Sequence, residues 1–215
     1  MRKEYLVEGE FYHVYNRGVD KRTIFLDGND FDRFLQSMKE FNSDDPIGSI
    51  YENSFRGSIR KKQKKLVDFI AYCLNPNHYH FILKQSSEKG IERFMHRLGM
   101  GYAKFFNNKY KRSGALFQGT FKARHINTNE YLLHLSAYIN LNYKVHKLGH
   151  GAFRSSWGAY NMLTKNTKED FIDVEIITSQ FRNFEEYKEF AEFSLADILN
   201  KKKIFKEMES VLLDN

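Results

Sequence analysis

Ala71-Tyr72-Cys73-Leu74-Asn75-Pro76-Asn77-His78-Tyr79-His80-Phe81-Ile82-Leu83 carries the pattern from which the architecture follows. An apolar run, the turn-forming Asn75-Pro76-Asn77 and a second apolar run predict two strands paired as a hairpin. Alternate residues of a strand share a face, so His78, His80 and Ile82 point one way and Tyr79, Phe81 and Leu83 the other. Two imidazoles then stand side by side, about 7 Å apart along the backbone. Neutral imidazole is a common ligand of divalent metals, and a pair converges on one ion if a third group arrives from another element. A strand histidine is ordinarily a packed or surface side chain, so the pair takes its meaning from the rest of the chain.

Upstream, Glu10-Phe11-Tyr12-His13-Val14-Tyr15-Asn16-Arg17-Gly18 alternates and ends in glycine, which predicts a first strand and a turn. Asp27-Gly28-Asn29-Asp30 supplies capping residues for a helix whose stripe is Phe31, Phe34, Leu35, Met38 and Phe41. The apolar rhythm then fails across residues 47–66, where Arg56, Arg60, Lys61, Lys62, Lys64 and Lys65 crowd together. Such a run is either a solvated face or a basic arm for phosphates. Downstream, Ile91, Phe94, Met95, Leu98, Tyr102, Phe105 and Phe106 give a long helix with a buried face, interrupted by Gly99 and Gly101. Those glycines are expected to permit close packing against the sheet. Residues 117–125 read as another strand, with Lys122 and Arg124 alternating on one side.

Asn127-Thr128-Asn129-Glu130 opens a helix expected over residues 131–145, with Leu132, Leu133, Leu135, Ile139 and Leu141 on its apolar side. Tyr138 and Asn142 are four apart and therefore stack on one face. Most helix tyrosines are half-buried aromatics with a wet hydroxyl. In the tail, residues 171–177 alternate as a strand does, residues 185–199 carry a helical stripe of Tyr187, Phe190, Ala191 and Leu195, and residues 204–213 repeat the helical pattern.

The composition narrows the partners. The 215 residues carry a formal charge of +7, and 16% of them are aromatic. Basic charge interleaved with aromatics suits a polyanion whose bases can be stacked upon, above all single-stranded nucleic acid. One cysteine, Cys73, excludes a disulfide framework. No long apolar segment or export leader is read, so a cytoplasmic protein that spans no membrane is expected.

Taken in order, the pieces resemble a known family. Tyr12-His13-Val14-Tyr15-Asn16-Arg17-Gly18 and Asn75-Pro76-Asn77-His78-Tyr79-His80 are followed by Leu98-Gly99 with Tyr102 and Phe106-Asn107. Gly114-Ala115-Leu116-Phe117-Gln118-Gly119 with Phe121-Lys122 comes next, then Tyr131-Leu132 and Tyr138-Ile139-Asn140-Leu141-Asn142. The series is similar to the single-tyrosine HUH transposases, and most closely to their REP-associated tyrosine transposase branch. Ser155-Ser156-Trp157-Gly158-Ala159-Tyr160 resembles a segment that often follows the catalytic helix of that family.

The resemblance implies an α+β fold, a ferredoxin-like antiparallel sheet with helices packed on one face. It divides the chain into an HUH domain over 1–160, with a basic insertion at about 47–66, and a mixed, mainly helical C-terminal extension over 161–215. It implies Tyr138 as nucleophile, and His78, His80 and Asn142 as ligands of a divalent ion, magnesium or manganese. The implied substrate is single-stranded DNA with hairpin or palindromic repeats, cleaved through a 5′-phosphotyrosine that permits strand transfer without a nucleotide triphosphate. Arg17, Lys122 and Arg124 join the basic stretch from Arg56 to Lys65 as phosphate contacts, and a homodimer is an expected assembly. The alternative is a non-catalytic protein that binds a DNA or RNA hairpin. A large replication initiator is disfavoured by the lack of a Gly-rich loop ending in Gly-Lys-Ser/Thr. Departures from the family pattern are Tyr143 in place of the usual proline after Asn142, Thr120 where arginine is frequent, and the length of the 47–66 segment.

Overall fold

The computed structural model describes residues 5–45, 47–51, 64–161 and 171–213, of which 201–213 as backbone only. Alternation in the first segment forms β1 (Phe11–Arg17), with Tyr12 and Val14 buried on one side. Asp27 caps α1 (Gly28–Glu40) by accepting the Asp30 backbone N–H at 3.0 Å, and Phe31, Phe34 and Met38 face inward. The hairpin closes β2 (Val67–Asn75) onto β3 (His78–Gln85) through Pro76 and Asn77 alone, since Asn75 already pairs with His78. Next come α2 (Gly90–Lys109), β4 (Lys122–Ile126) and α3 (Asn129–Asn140), the last capped by Thr128. Short elements follow: α4 (Asn142–Val145), β5 (Arg154–Ser155), α5 (Trp157–Tyr160) and α6 (Glu175–Thr178). The long α7 (Phe184–Leu213) ends the series.

The five strands form one antiparallel sheet in the order β4-β1-β3-β2-β5. Its first four strands, with α1 and α2 as the connecting helices, have the split connectivity of a ferredoxin-like α+β unit, as expected. This puts the two-histidine strand β3 in the middle. The parity read from β3 holds: Tyr79, Phe81 and Leu83 join α1 and α2 in one core, while Ile82 faces a second core with Leu132, Leu135 and Ile139 of α3.

That second core corrects the expectation of helices on one face only. Ile70, Ala71, Cys73 and Ile82 lie on the sheet face away from α1 and α2, where α3 covers them and α7 in turn packs on α3. Fully burying such a side chain is worth about 1.5–3 kcal/mol, so a sheet apolar on both sides demands a second layer. Among the described residues, no helix is long and apolar enough to cross a membrane.

Along β2 the pairing steps from Phe69 opposite Leu83 to Ala71 opposite Ile82, leaving Ile70 as one extra residue, a β-bulge. Other departures are local. The helix expected over 131–145 breaks at Leu141, whose φ of −103° and ψ of 13° leave the helical basin. The strand expected over 117–125 shortens to β4, because residues 117–121 make a loop around Gly119, whose φ is +67°. Residues 171–177 are not a strand: only Ile172 bridges to Phe69, and the chain then turns into α6 so that Ile177 is buried. The two helical stretches of the tail are one helix. Gly101 packs closely not on the sheet but on Phe41 after α1, whose ring would lie 2.6 Å from an added Cβ, while Gly99 has open space.

Candidate active site

The sheet register assembles the site. On the α3-facing side, Tyr15 of β1 sits opposite His80 of β3 and Lys122 of β4, and Arg17 sits opposite His78. These side chains, with Tyr138 of α3, line an open cleft of about 690 Å3 at one end of the sheet. Lys21, from the 3-10 turn after β1, adds a further cation, and Asn16, Asn77 and Gln118 add amides. Arg17 is anchored there by donating from Nε to Gln118 Oε1.

Each histidine is held by a named partner. His78 Nδ1 lies 2.6 Å from Asn77 Oδ1, an acceptor only, so Nδ1 carries the hydrogen and Nε2 keeps its lone pair. Asn75 Nδ2 donates to that lone pair at 2.8 Å and to Asn142 Oδ1 at 2.6 Å. His80 Nδ1 lies 2.9 Å from Nε2 of the buried His13, and its ring stacks on both His13 and Tyr15. Ring centroids are 5.2 Å apart for His78 and His80, 6.1 Å for His80 and Tyr138, and 4.9 Å for His78 and His146. Burial lowers the His78 pKa to about 4; His146 and Arg17 push the same way and Asn142 opposes them. Burial, then Arg124, lowers His13 to about 4. Both imidazoles are therefore neutral near pH 7, the form that ligates metals.

The donor set fits a divalent ion with one amide in it. Among the described residues, no three His, Cys, Asp or Glu side chains converge in a metal-binding cluster. Beside His78 and His80, the amide oxygen of Asn142 is a neighbouring donor of another residue type, one Asn75 side chain away from His78. The lone pairs of His78 Nε2 and Asn142 Oδ1 converge on a single electropositive group, the Asn75 amide Nδ2, so both are aimed as ligands of one cation would be. Asn142 Nδ2 is buried without a hydrogen-bond partner, so the side chain is held by its oxygen alone.

The sequence-predicted residues divide accordingly. His78, His80, Tyr138, Arg17 and Lys122 meet at the cleft. Asn142 is fully buried behind it, and exposed Arg124 lies on the same sheet face, opposite His13. Lys64 and Lys65 precede the far end of β2, eleven and ten residues from Asn75, or roughly 35 Å of extended chain. They do not reach the cleft, and Arg56, Arg60, Lys61 and Lys62 lie outside the described residues. Sequence reasoning gave no role to His13, Tyr15, Asn75 or His146. Alternation on β1 puts His13 and Tyr15 on the face of Arg17, and that signal was available; nothing local marks His146, because it follows the break at Leu141.

Residues 36–142 match the family model described as transposase IS200 like. No curated protein matches the chain. Among solved structures, it is similar to the REP associates tyrosine transposase bound to a REP hairpin, at 14% identity, covering 81% of this chain and 92% of that one with a TM-score of 0.52. At that identity the likeness is one of fold.

Proposed function

Since this chain belongs to the IS200-like transposase family, and is thus a DNA-cleaving enzyme, we propose that it cuts and rejoins single-stranded DNA beside a hairpin through Tyr138. The observation that carries this reading is the meeting of Tyr138, His80, His78 and the Asn75–Asn142 pair at one end of the sheet, in a cleft rimmed by Arg17, Lys21 and Lys122. The solved protein of similar fold holds a REP hairpin, which supports a folded single strand as the substrate. A cytoplasmic place of work goes with this reading. On this reading residues 1–160 are the transposase domain and 161–215 its C-terminal extension, whose α7 packs on α3.

Arg17, Lys21 and Lys122 hold the backbone phosphates by charge, with Arg124 beyond them on β4 and the basic stretch from Arg56 to Lys65 as a further arm. Tyr15 offers a ring on which a base can stack. Tyr138 attacks phosphorus as the bond from phosphorus to the 3′-oxygen breaks. The phenolic proton is given up, and the departing oxygen ends as a hydroxyl. A neutral phenol is a weak nucleophile, so the proton must leave as the bond forms. His78, His80 and Asn142 would hold magnesium or manganese, which polarises the scissile phosphate when bound. The 5′-phosphotyrosine keeps the bond energy, and attack on it by a 3′-hydroxyl restores a phosphodiester and frees Tyr138.

The test is incubation of the protein with end-labelled hairpin DNA and Mn2+, followed by a denaturing gel and peptide mapping. A labelled protein band whose DNA maps to Tyr138, absent from Tyr138→Phe, is the expected result. DNA on Tyr131, Tyr143 or any other tyrosine overturns the assignment of the nucleophile. Hairpin binding without an adduct from the unaltered protein would leave a binding protein instead.

A further inference from the structure

A buried line of hydrogen bonds runs from the sheet through α3 to the C-terminal helix. Ser156 Oγ accepts the Tyr72 backbone N–H of β2 at 2.9 Å and donates to Asn140 Oδ1 at 2.6 Å, Tyr72 O being the poorer acceptor at 3.3 Å. Asn140 Nδ2 donates to the Tyr187 hydroxyl oxygen at 2.9 Å, and that hydroxyl lies 3.1 Å from Ser136 Oγ. Ser136 directs its own hydrogen to Leu133 O at 2.7 Å, so Tyr187 is the donor to Ser136. Every link has one donor and one acceptor, and the polarity runs one way, from β2 to α3 to α7 and back to α3. Ser136, Asn140, Ser156 and Tyr187 are all fully buried. There an unpaired polar group costs about 1–3 kcal/mol, so removing one member leaves its neighbour stranded.

The location gives the line its consequence. Asn140 is the last residue of α3, two after Tyr138 and two before Asn142. Two residues turn about 200° around a helix, so a bolt on Asn140 holds the back of the segment whose front carries Tyr138. Helical continuity ends at Leu141, so it does not fix Asn142 relative to Tyr138. The bolt does.

We infer that Tyr187 and Asn140 are positioning residues for DNA cleavage: through them the C-terminal extension sets the end of α3 against β3, and with it Tyr138 and Asn142 against His78 and His80. The inference rests on the transposase reading of the cleft. It makes the extension part of the catalytic unit, although none of its described side chains lines the cleft.

Tyr187→Phe removes the hydroxyl and keeps the ring, which packs on Trp157, Tyr160 and Phe181. With hairpin DNA saturating and Mn2+ present, single-turnover adduct formation should slow by about ten- to hundredfold, the scale of a small misplacement of reacting groups, while Kd for the DNA holds. Leu195→Ala thins the same helix interface without touching the line. It should lower Tm at least as far as Tyr187→Phe does and leave the rate unchanged, which separates positioning from stability. Ser156→Ala breaks the line at its sheet end and should give the same split between rate and Kd, so the inference can be tested if Tyr187→Phe fails to fold. An unaltered rate in a folded Tyr187→Phe or Ser156→Ala, beside a wild type that forms adduct, overturns the positioning role alone. A wild type that forms no adduct overturns the transposase reading and the positioning role together.

Discussion

At the scale of single residues, the site is built on two imidazoles that the fold keeps from charging. His78 and His13 are each lowered to about 4, chiefly by burial. In the unfolded chain both titrate near 6.5. Between about pH 6.5 and 4 the unfolded state therefore binds the extra protons, and stability falls as the pH drops, by up to about 1.4 kcal/mol per pH unit for each histidine. Partial exposure of His78 reduces its share. Urea melts from pH 7 to 4.5 should show this fall, and His13→Gln should make it shallower. An identical slope in the variant would mean that His13 is free to protonate in the folded protein. Period-two alternation made His78 and His80 legible as a pair, and helical spacing singled out Tyr138 with Asn142. His13 behind His80 and Asn75 beside His78 were not legible as partners, since both contacts depend on how strands register with one another, a long-range property that no window of sequence contains.

At the scale of elements, α2 offers a test of how tightly its packing is set. Gly90 opens the helix so close to the neighbouring chain that an added Cβ would lie 2.1 Å from Leu66 O, a backbone atom that cannot swing aside. Gly90→Ala should destabilise by about 1–3 kcal/mol, the usual cost of overpacking. Gly99, in the middle of the same helix, meets nothing within 4 Å. Gly99→Ala should therefore stabilise by up to about 1 kcal/mol through helix propensity. Thermal melts of both variants decide it, and a stabilised Gly90→Ala would show that the approach of Leu66 relaxes at no cost. The strongly periodic elements, β1, the hairpin, α1 and α2, were legible because one buried face dominates each. Residues 171–177 misled, because alternation promises a strand only where a partner edge runs alongside, and β2 offers Ile172 a single bridge.

At the scale of the whole molecule, the sheet separates two jobs. One face, under α1 and α2, is a closed aromatic core; the other opens at the β1–β3 end into the cationic cleft. If DNA follows that cleft, Lys122→Ala should flatten the plot of log affinity against log salt by about 0.7, one phosphate contact to a single strand. Lys39→Ala, an exposed lysine on α1 across the sheet, should leave the slope alone. Equal slopes for Lys122→Ala and the wild type would remove Lys122 from the phosphate path. Composition already pointed to such a partner, but not to which face of the sheet would carry it.

The extra residue at Ile70 works as a phase slip in β2. Before it, Phe69 points toward α1 and α2; after it, Tyr72 and Leu74 do, an odd step that unbroken pleating forbids. With no slip, the odd-numbered positions beyond Phe69 would keep its heading, and Asn75 would point into the aromatic core. Because of it, Asn75 emerges on the opposite side, where its amide bridges His78 and Asn142. The polarity of the site is thus decided five residues upstream, by a miscount of one in a strand that otherwise looks like plain filling.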